Sequence, residues 1–312
     1  MRESMLHFGG TFGKRFTRKQ KDRFIGFITK IMKELGYKVR TVTEKRKFGG
    51  NSVHVLIGNV EKAGVVFVSS YDTASRILFP NYRYYPLDRQ KNFKNEKRNS
   101  LLQYGIAGTI LLICFLIAFF SGGVLNGQTH LWRFLALAVA VFGAFRVASG
   151  IPNKFNFNRN TSSLLLIGKL ASTVKNRKKA AFVLADFSCN YYEGYRELQE
   201  FFGKELQSKK VVVLDCVGTG APIYFAERKG RPSNDIERLK QIPTGLDVRF
   251  TELTEEQADD SVLYFFPDGV YVFSAQQADN RLFVPDTRTG KDSRVDFEQL
   301  EMLQRLFEEY LR

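Results

Sequence analysis

Apolar positions along the chain fall into a few separable patterns. Residues 24–35 (FIGFITKIMKEL) place Phe24, Phe27, Ile28, Ile31, Met32 and Leu35 at helical spacing, and Gly36 follows as a stop. Residues 37–42 and 52–58 alternate and carry β-branched side chains, which predicts strands. Residues 64–69 (GVVFVS), 180–186 (AAFVLAD) and 210–215 (KVVVLD) are continuous apolar runs, the pattern of strands buried on both faces. Residues 161–174 (TSSLLLIGKLASTV) predict an amphipathic helix capped by Thr161 or Asn160. A further helix is expected from 195–202. The chain closes in a helix over 296–311 that turns Leu300, Leu303, Leu306, Phe307 and Leu311 to the core. Residues 74–100 are polar, aromatic and basic and predict an irregular lead-in. Residues 153–160 predict an Asn-rich loop, and 230–245 mostly loop before a helix–strand alternation. Buried strands alternating with helices imply an α/β fold with a mostly parallel sheet covered on both faces.

Two longer apolar stretches interrupt this pattern. Residues 101–120 (LLQYGIAGTILLICFLIAFF) contain no charged side chain, and about 20 such residues cross a hydrocarbon core as a helix. The competing account, the core helix of a soluble protein, seldom runs that far without a charge. Residues 131–150 (LWRFLALAVAVFGAFRVASG) hold Arg133 and Arg146 near their ends, where long stems carry charge to the headgroups. Trp132 and Arg133 resemble an interfacial anchor. Residues 121–130 are short and Gly-rich, so the two stretches are expected to form a transmembrane hairpin. The chain is then divided into 1–98, a hairpin over 99–150, and 151–312. Arg83, Arg89, Lys91, Lys94, Lys97 and Arg98 precede the first stretch, while the turn has no Lys or Arg, so the positive-inside bias puts both long segments in the cytoplasm. Residues 1–23 lack an apolar h-region, so no N-terminal signal peptide is expected.

The formal charge of +15 over 312 residues suits nucleic acid or an anionic leaflet. Much of the excess lies in residues 14–47 and 83–98, the latter abutting the first stretch. With no RNA-reading aromatic motif or helix-turn-helix signature, the lipid bilayer is the expected partner, and Tyr82, Tyr84 and Tyr85 are expected to rest at its surface. Residues 175–179 (KNRKK) read as a solvated turn. The three cysteines, Cys114, Cys189 and Cys216, do not make a disulfide framework, which fits a reducing compartment.

Four short segments carry candidate chemistry. VVFVSSYDTAS ends a buried strand in Ser70, Asp72 and Thr73. FNRNTSSLLLIGKLA holds Arg159, Asn160 and Ser162. AAFVLADFSCNYYEGYREL holds Ser188, Cys189 and Gly194, and VVVLDCVGTG holds Asp215 and Gly218. In this order the segments resemble the zinc-dependent aminopeptidases with two co-catalytic zincs, a family that includes glutaminyl cyclases and non-catalytic relatives. The resemblance spans about 24–74 and 160–311. It implies a three-layer aminopeptidase-like fold, with the membrane hairpin inserted. The family shows His-x-Asp-Thr where Ser70, Asp72 and Thr73 stand. It shows Asp-Asn-x-Ser-Gly where this chain has Arg159, Asn160 and Ser162. It shows a Glu-Glu pair where Ser188 and Cys189 stand, and Asp-x-x-Gly at Asp215 and Gly218. Its last His ligand falls around 260–262, where there is none.

These departures bear on mechanism. Two zincs about 3.5–4 Å apart need a bridging carboxylate and several N/O ligands. Among the ligand positions only Asp215 is retained, and Arg159, which stays protonated, replaces the bridging anion. Ser188 in the general-base position does not take a proton from water at neutral pH. The three histidines, His7, His54 and His130, fall elsewhere. The resemblance therefore implies a degenerate, catalytically inactive member with no cofactor, binding a protein or peptide partner at the membrane. Its vestigial cleft is rimmed by Ser70, Asp72, Arg159, Ser188, Cys189 and Asp215. Two accounts of that cleft stand open: an ion pair filling a vacated site, and a pocket for a small ligand or peptide terminus. Cys189 lacks a His partner motif for nucleophilic work, and the Gly-rich end after Asp215 matches neither a P-loop nor a dinucleotide fingerprint. The rivals are an active zinc hydrolase using other ligands, and a basic membrane-surface adaptor in which the cleft plays no part.

Overall fold

The computed structural model describes residues 2–46, 50–120, 130–203, 209–230 and 234–312. Its strands β1 (Val39–Glu44), β2 (Ser52–Ile57), β3 (Val65–Ser70), β5 (Ala180–Ala185), β6 (Lys210–Asp215), β7 (Ile223–Arg228), β8 (Val248–Leu253) and β9 (Val270–Ser274) form one sheet. Their order is β1-β2-β5-β3-β6-β9-β7-β8. The centre, β5-β3-β6-β9, is parallel throughout; β1-β2, β2-β5 and β9-β7 are antiparallel, and β7-β8 is parallel. A small second sheet joins β4 (Arg83–Tyr84), β10 (Gln276–Ala278) and β11 (Arg281–Pro285).

Each central strand divides its side chains between two cores because successive residues face opposite ways. Phe67, Phe182, Leu214 and Val272 face helices α2 (Arg18–Glu34), α5 (Ser162–Thr173), α7 (Asn234–Gln241) and α9 (Phe297–Tyr310). Val66, Val68, Val183, Val213 and Tyr271 face α6 (Glu193–Phe202), α8 (Glu255–Asp259) and residues 262–266. Phe67 lies 5.8 Å from the Phe182 ring and 5.2 Å from Phe307, which ties the sheet to α9. Burying one such ring contributes about 1.5–3 kcal/mol. The result is the expected three-layer α/β fold with a mostly parallel central sheet.

Several local expectations are corrected. α2 begins at Arg18, ahead of its apolar stripe, because Thr17 and Gln20 form a reciprocal capping box. Residues 157–160 are not loop: Phe157–Thr161 is a π-helical turn running directly into α5, so neither Asn160 nor Thr161 acts as a side-chain cap. Residues 234–241, read within a loop, form α7.

The lead-in over 74–100 is also ordered. β4 pairs with β11, and α3 (Arg89–Phe120) starts at Arg89 and runs without a break into the apolar stretch. Its first turns are held because Asn92, Glu96, Asn99 and Gln103, at helical spacing, are all buried. Asn92 exchanges two hydrogen bonds with the Tyr85 backbone, and Glu96 pairs with buried Arg288. Beyond residue 100 the character inverts. Leu112, Phe115, Ile117 and Phe119 are more than half exposed, as are Phe134, Val139, Phe142 and Phe145 on α4 (His130–Ala148), which packs along α3. Among the described residues one helix, α3, is long and apolar enough to cross a membrane. The turn read at 121–130 lies, but for His130, outside the described residues.

Candidate functional site

The parallel strands β5, β3 and β6 end side by side, and the loops leaving them hold the candidate residues. Ser70 closes β3, Asp186 follows β5, and Asp215 closes β6. The π-helical turn before α5 crosses this end and carries Arg159 and Asn160. It is positioned from both sides. Buried Asp292 accepts the backbone N–H groups of Asn158 (2.8 Å) and Arg159 (3.4 Å). The Asn158 side chain accepts from the Gly218 N–H at 3.0 Å. Gly218 is needed there, since a Cβ would approach the Ser162 Cβ to 2.8 Å. Phe187 and Cys216, just beyond the ends of β5 and β6, and Tyr192, just before α6, adopt left-handed backbone angles, a clustering of strain of the kind found at functional sites.

Ser70, Asp72, Arg159, Ser188, Cys189 and Asp215 converge, and all are buried. Asn160 donates to the Ser70 hydroxyl at 2.6 Å. Asp72 accepts the backbone N–H groups of Ser188 (3.0 Å) and Cys189 (3.2 Å), so it fixes the loop after β5. The Arg159 guanidinium donates to Asp215 and, at 2.8 Å, to the Cys189 carbonyl. Asp215 is saturated. One oxygen accepts from Arg159 and the Cys216 thiol; the other accepts from the hydroxyls of Tyr84 (2.8 Å) and Tyr271 (3.1 Å). The Tyr84 hydroxyl also lies 3.0 Å from that of Tyr192, and its ring stacks 3.7 Å from the guanidinium carbon.

Electrostatics follow from this packing. Burial opposes the Arg159 charge, but the facing Asp215 carboxylate together with Tyr84, Cys216 and Cys189 outweighs it, and the guanidinium pKa is raised. Burial raises the Tyr84, Tyr192 and Tyr271 hydroxyls, which therefore stay protonated as donors. Burial pushes the Cys189 thiol up to about 12, the wrong direction for a nucleophile. Asp72 is raised to about 6 by burial, with Lys21 pulling it down and Asp186 pushing it up. This donor set does not suit zinc: the Asp215 carboxylate has its lone pairs occupied, and the Arg159 guanidinium packs against it. Among the described residues no group of three or more His, Cys, Asp or Glu is arranged to hold a metal ion.

The tyrosines read as surface anchors are corrected: Tyr82, Tyr84 and Tyr85 are buried, and Tyr84 reaches the centre of the site. Arg83, Arg89, Lys91 and Arg98 lie over the rings of Phe283, Tyr264, Tyr85 and Phe79, while Lys94 and Lys97 are exposed. Arg133 is half-buried on α4; the Trp132 side chain lies outside the described residues. Three contributors escaped sequence reading. Arg15, inside a segment read only as basic, is fully buried and donates to the carbonyls of Tyr71 (2.5 Å), Phe8 (3.1 Å) and Phe12 (2.6 Å). Asp292 and Tyr271 had no local motif. His54 accepts the Asp186 N–H at Nδ1, so its Nε2 carries the proton and donates to Glu197 at 3.0 Å, a structural role.

No family model matches the sequence, and no curated protein matches it either. Solved structures do match in shape. The glutaminyl cyclase of Bacteroides thetaiotaomicron superposes with a TM-score of 0.55 at 11% identity, over 96% of this chain and 92% of that one. A Zn-dependent exopeptidase from Parabacteroides distasonis gives 0.54 at 11% identity, over 96% and 93%. The LapA aminopeptidase of Legionella pneumophila gives 0.53 at 12% identity, over 99% and 69%. The fold is therefore that shared by zinc-dependent exopeptidases and glutaminyl cyclases.

Proposed function

We propose that this chain is a membrane-anchored, catalytically inactive aminopeptidase-like protein that works as a binding or scaffolding module on the cytoplasmic side. The observation that carries this reading is the Arg159–Asp215 pair covered by Tyr84, with both carboxylate oxygens of Asp215 engaged. A substrate carbonyl beside Asp215 would meet a protonated guanidinium and protonated phenols, and the Asp215 carboxylate is already held by those donors. The exposed apolar surface of α3 and α4 supports the anchor, because a contiguous patch of that kind calls for lipid or protein cover. The basic residues in the first turns of α3, ahead of its apolar stretch, support the cytoplasmic orientation. Binding a protein partner then falls to the outer surface of the domain, since the former cleft is packed with its own side chains.

Metal analysis of the purified full chain, with aminopeptidase and glutaminyl cyclase assays, tests the inactive-site reading. Less than a tenth of an equivalent of zinc and no turnover are expected; stoichiometric zinc or measurable turnover overturns it. Resistance of the chain to alkaline carbonate extraction from native membranes tests the anchor, and release into the supernatant overturns it.

A further inference from the structure

A second basic feature lies beside the base of the apolar hairpin, where the chain leaves it. The chain leaves α4 at Ala148, and Gly150 packs so closely that a Cβ would come within 3.3 Å of the Phe16 ring. Pro152 bridges to Ser75, and the segment then turns over the N-terminal arm. Between arm and segment is a groove of about 510 Å³. It is lined by Lys14, Arg23 and Lys154, by the rings of Phe12, Phe155 and Phe157, and by Gly9 and Gly10, with no Asp or Glu. All three cations are exposed, and among the described residues none is paired with a carboxylate. Several buried or half-buried cations here do face carboxylates: Lys21 faces Asp186, Arg46 faces Glu193 and Glu197, Arg159 faces Asp215, and Arg288 faces Glu96. Three unpaired positive charges gathered on aromatic walls are complementary to an anion that carries its own apolar portion.

We propose that this groove holds the phosphate-bearing headgroup of an anionic phospholipid. Lys14, Arg23 and Lys154 take the phosphate, and Phe12, Phe155 and Phe157 cover the glycerol and the first acyl carbons. The position fits this ligand, because Lys154 stands six residues beyond the end of α4 and so at most about 20 Å of chain from it. The inference rests on the membrane-anchor reading, and the experiment separates the two.

Native mass spectrometry of the full chain in an uncharged detergent, titrated with phosphatidylglycerol or phosphatidylcholine, is the test. Wild type is expected to retain one phosphatidylglycerol in preference to phosphatidylcholine. The combined variant Lys14→Gln, Arg23→Gln, Lys154→Gln should bind it roughly tenfold or more weakly. A variant with the same charge change at the exposed cations Lys62, Lys175 and Lys178 should bind as wild type does, which excludes a net-charge effect. All six positions are exposed, and equal thermal midpoints check that folding is intact. Unchanged retention in the groove variant, or no preference between the two lipids, overturns the proposal. Displacement of the lipid by inorganic phosphate alone assigns the groove to a free anion and likewise overturns it. Carbonate extraction of the same chain reports on the anchor separately: a chain that stays in the membrane yet shows no lipid preference refutes the groove and leaves the anchor standing.

Discussion

Arg159 and Asp215 form a buried ion pair at the point where β6 ends and the π-helical turn crosses it, with the Tyr84 ring stacked 3.7 Å from the guanidinium carbon. Two charges brought this deep are stable only as a set, because each has surrendered its hydration. Asp215→Ala leaves the guanidinium buried with only the Cys189 carbonyl and the Cys216 sulfur, and should cost about 3–5 kcal/mol. The apolar pair Arg159→Met with Asp215→Leu should cost less than Asp215→Ala alone, since no uncompensated charge remains. Urea unfolding of the three proteins checks the order. An Asp215→Ala variant within about 0.5 kcal/mol of wild type would mean the pair is solvated.

Gly194 occupies a place that admits no side chain. A Cβ there would overlap the carbonyl oxygen of Asp186 and come within 2.6 Å of the Ser188 hydroxyl. Both belong to the loop that Asp72 holds, so relief requires moving the site. Gly194→Ala is expected to destabilise by about 3 kcal/mol, the upper end for overpacking. Gly26, exposed in the middle of α2 with nothing within 4 Å of its would-be Cβ, gives the opposite case. Gly26→Ala should stabilise by about 0.5–1 kcal/mol through helix propensity and reduced chain entropy. A Gly194→Ala midpoint equal to or above that of wild type would contradict the packing described at Gly194.

The parts of this fold that were legible in sequence are those in which a residue's neighbours along the chain decide its state. The runs at Val65–Ser70, Ala180–Ala185 and Lys210–Asp215 are apolar on both faces and stand as central strands within a residue of their expected limits. The lead-in was illegible for a physical reason. Its helix buries a polar face of Asn92, Glu96, Asn99 and Gln103, so a search for apolar periodicity passes over it. The candidate residues could be picked out from short segments, but what fills the space between them could not. Tyr84 comes from a two-residue strand held by β11, and Asp292 from a loop far along the chain; only tertiary pairing brings them in.

Glu96 and Arg288 join α3 to the loop after β11, and both are buried. Arg288 also donates to the Ser75 carbonyl at 2.9 Å, so one guanidinium ties both sides of the hairpin base. Glu96→Ala should cost about 3–5 kcal/mol, because it strands a buried cation, and Glu96→Gln should cost less. The loss should be local before it is global. Amide hydrogen exchange is expected to quicken over residues 89–100 and 286–290, while β3, β5 and β6 keep their protection. Uniform acceleration across the central sheet would mean that the clamp is part of the main core.

Asp292 links stability to pH. Burial pushes its carboxyl from an ordinary 3.8 to about 7, against the pull of the Asn158 and Arg159 N–H groups. Between about pH 4 and pH 7 the folded protein therefore holds a proton here that the unfolded chain has released. Stability from this group is complete below about pH 4 and is lost as pH rises through 7. The full span is on the order of 4 kcal/mol. Asp292→Asn cannot titrate, so the wild-type thermal midpoint should fall relative to that of the variant as pH rises across this window, and the difference should stay constant above it. Asp72, raised to about 6, adds a contribution of the same sign, and Asp72→Asn separates the two. A gap that is the same at about pH 5 and about pH 8 would show that Asp292 is already ionised in the folded state, held by the N-terminus of the π-helical turn.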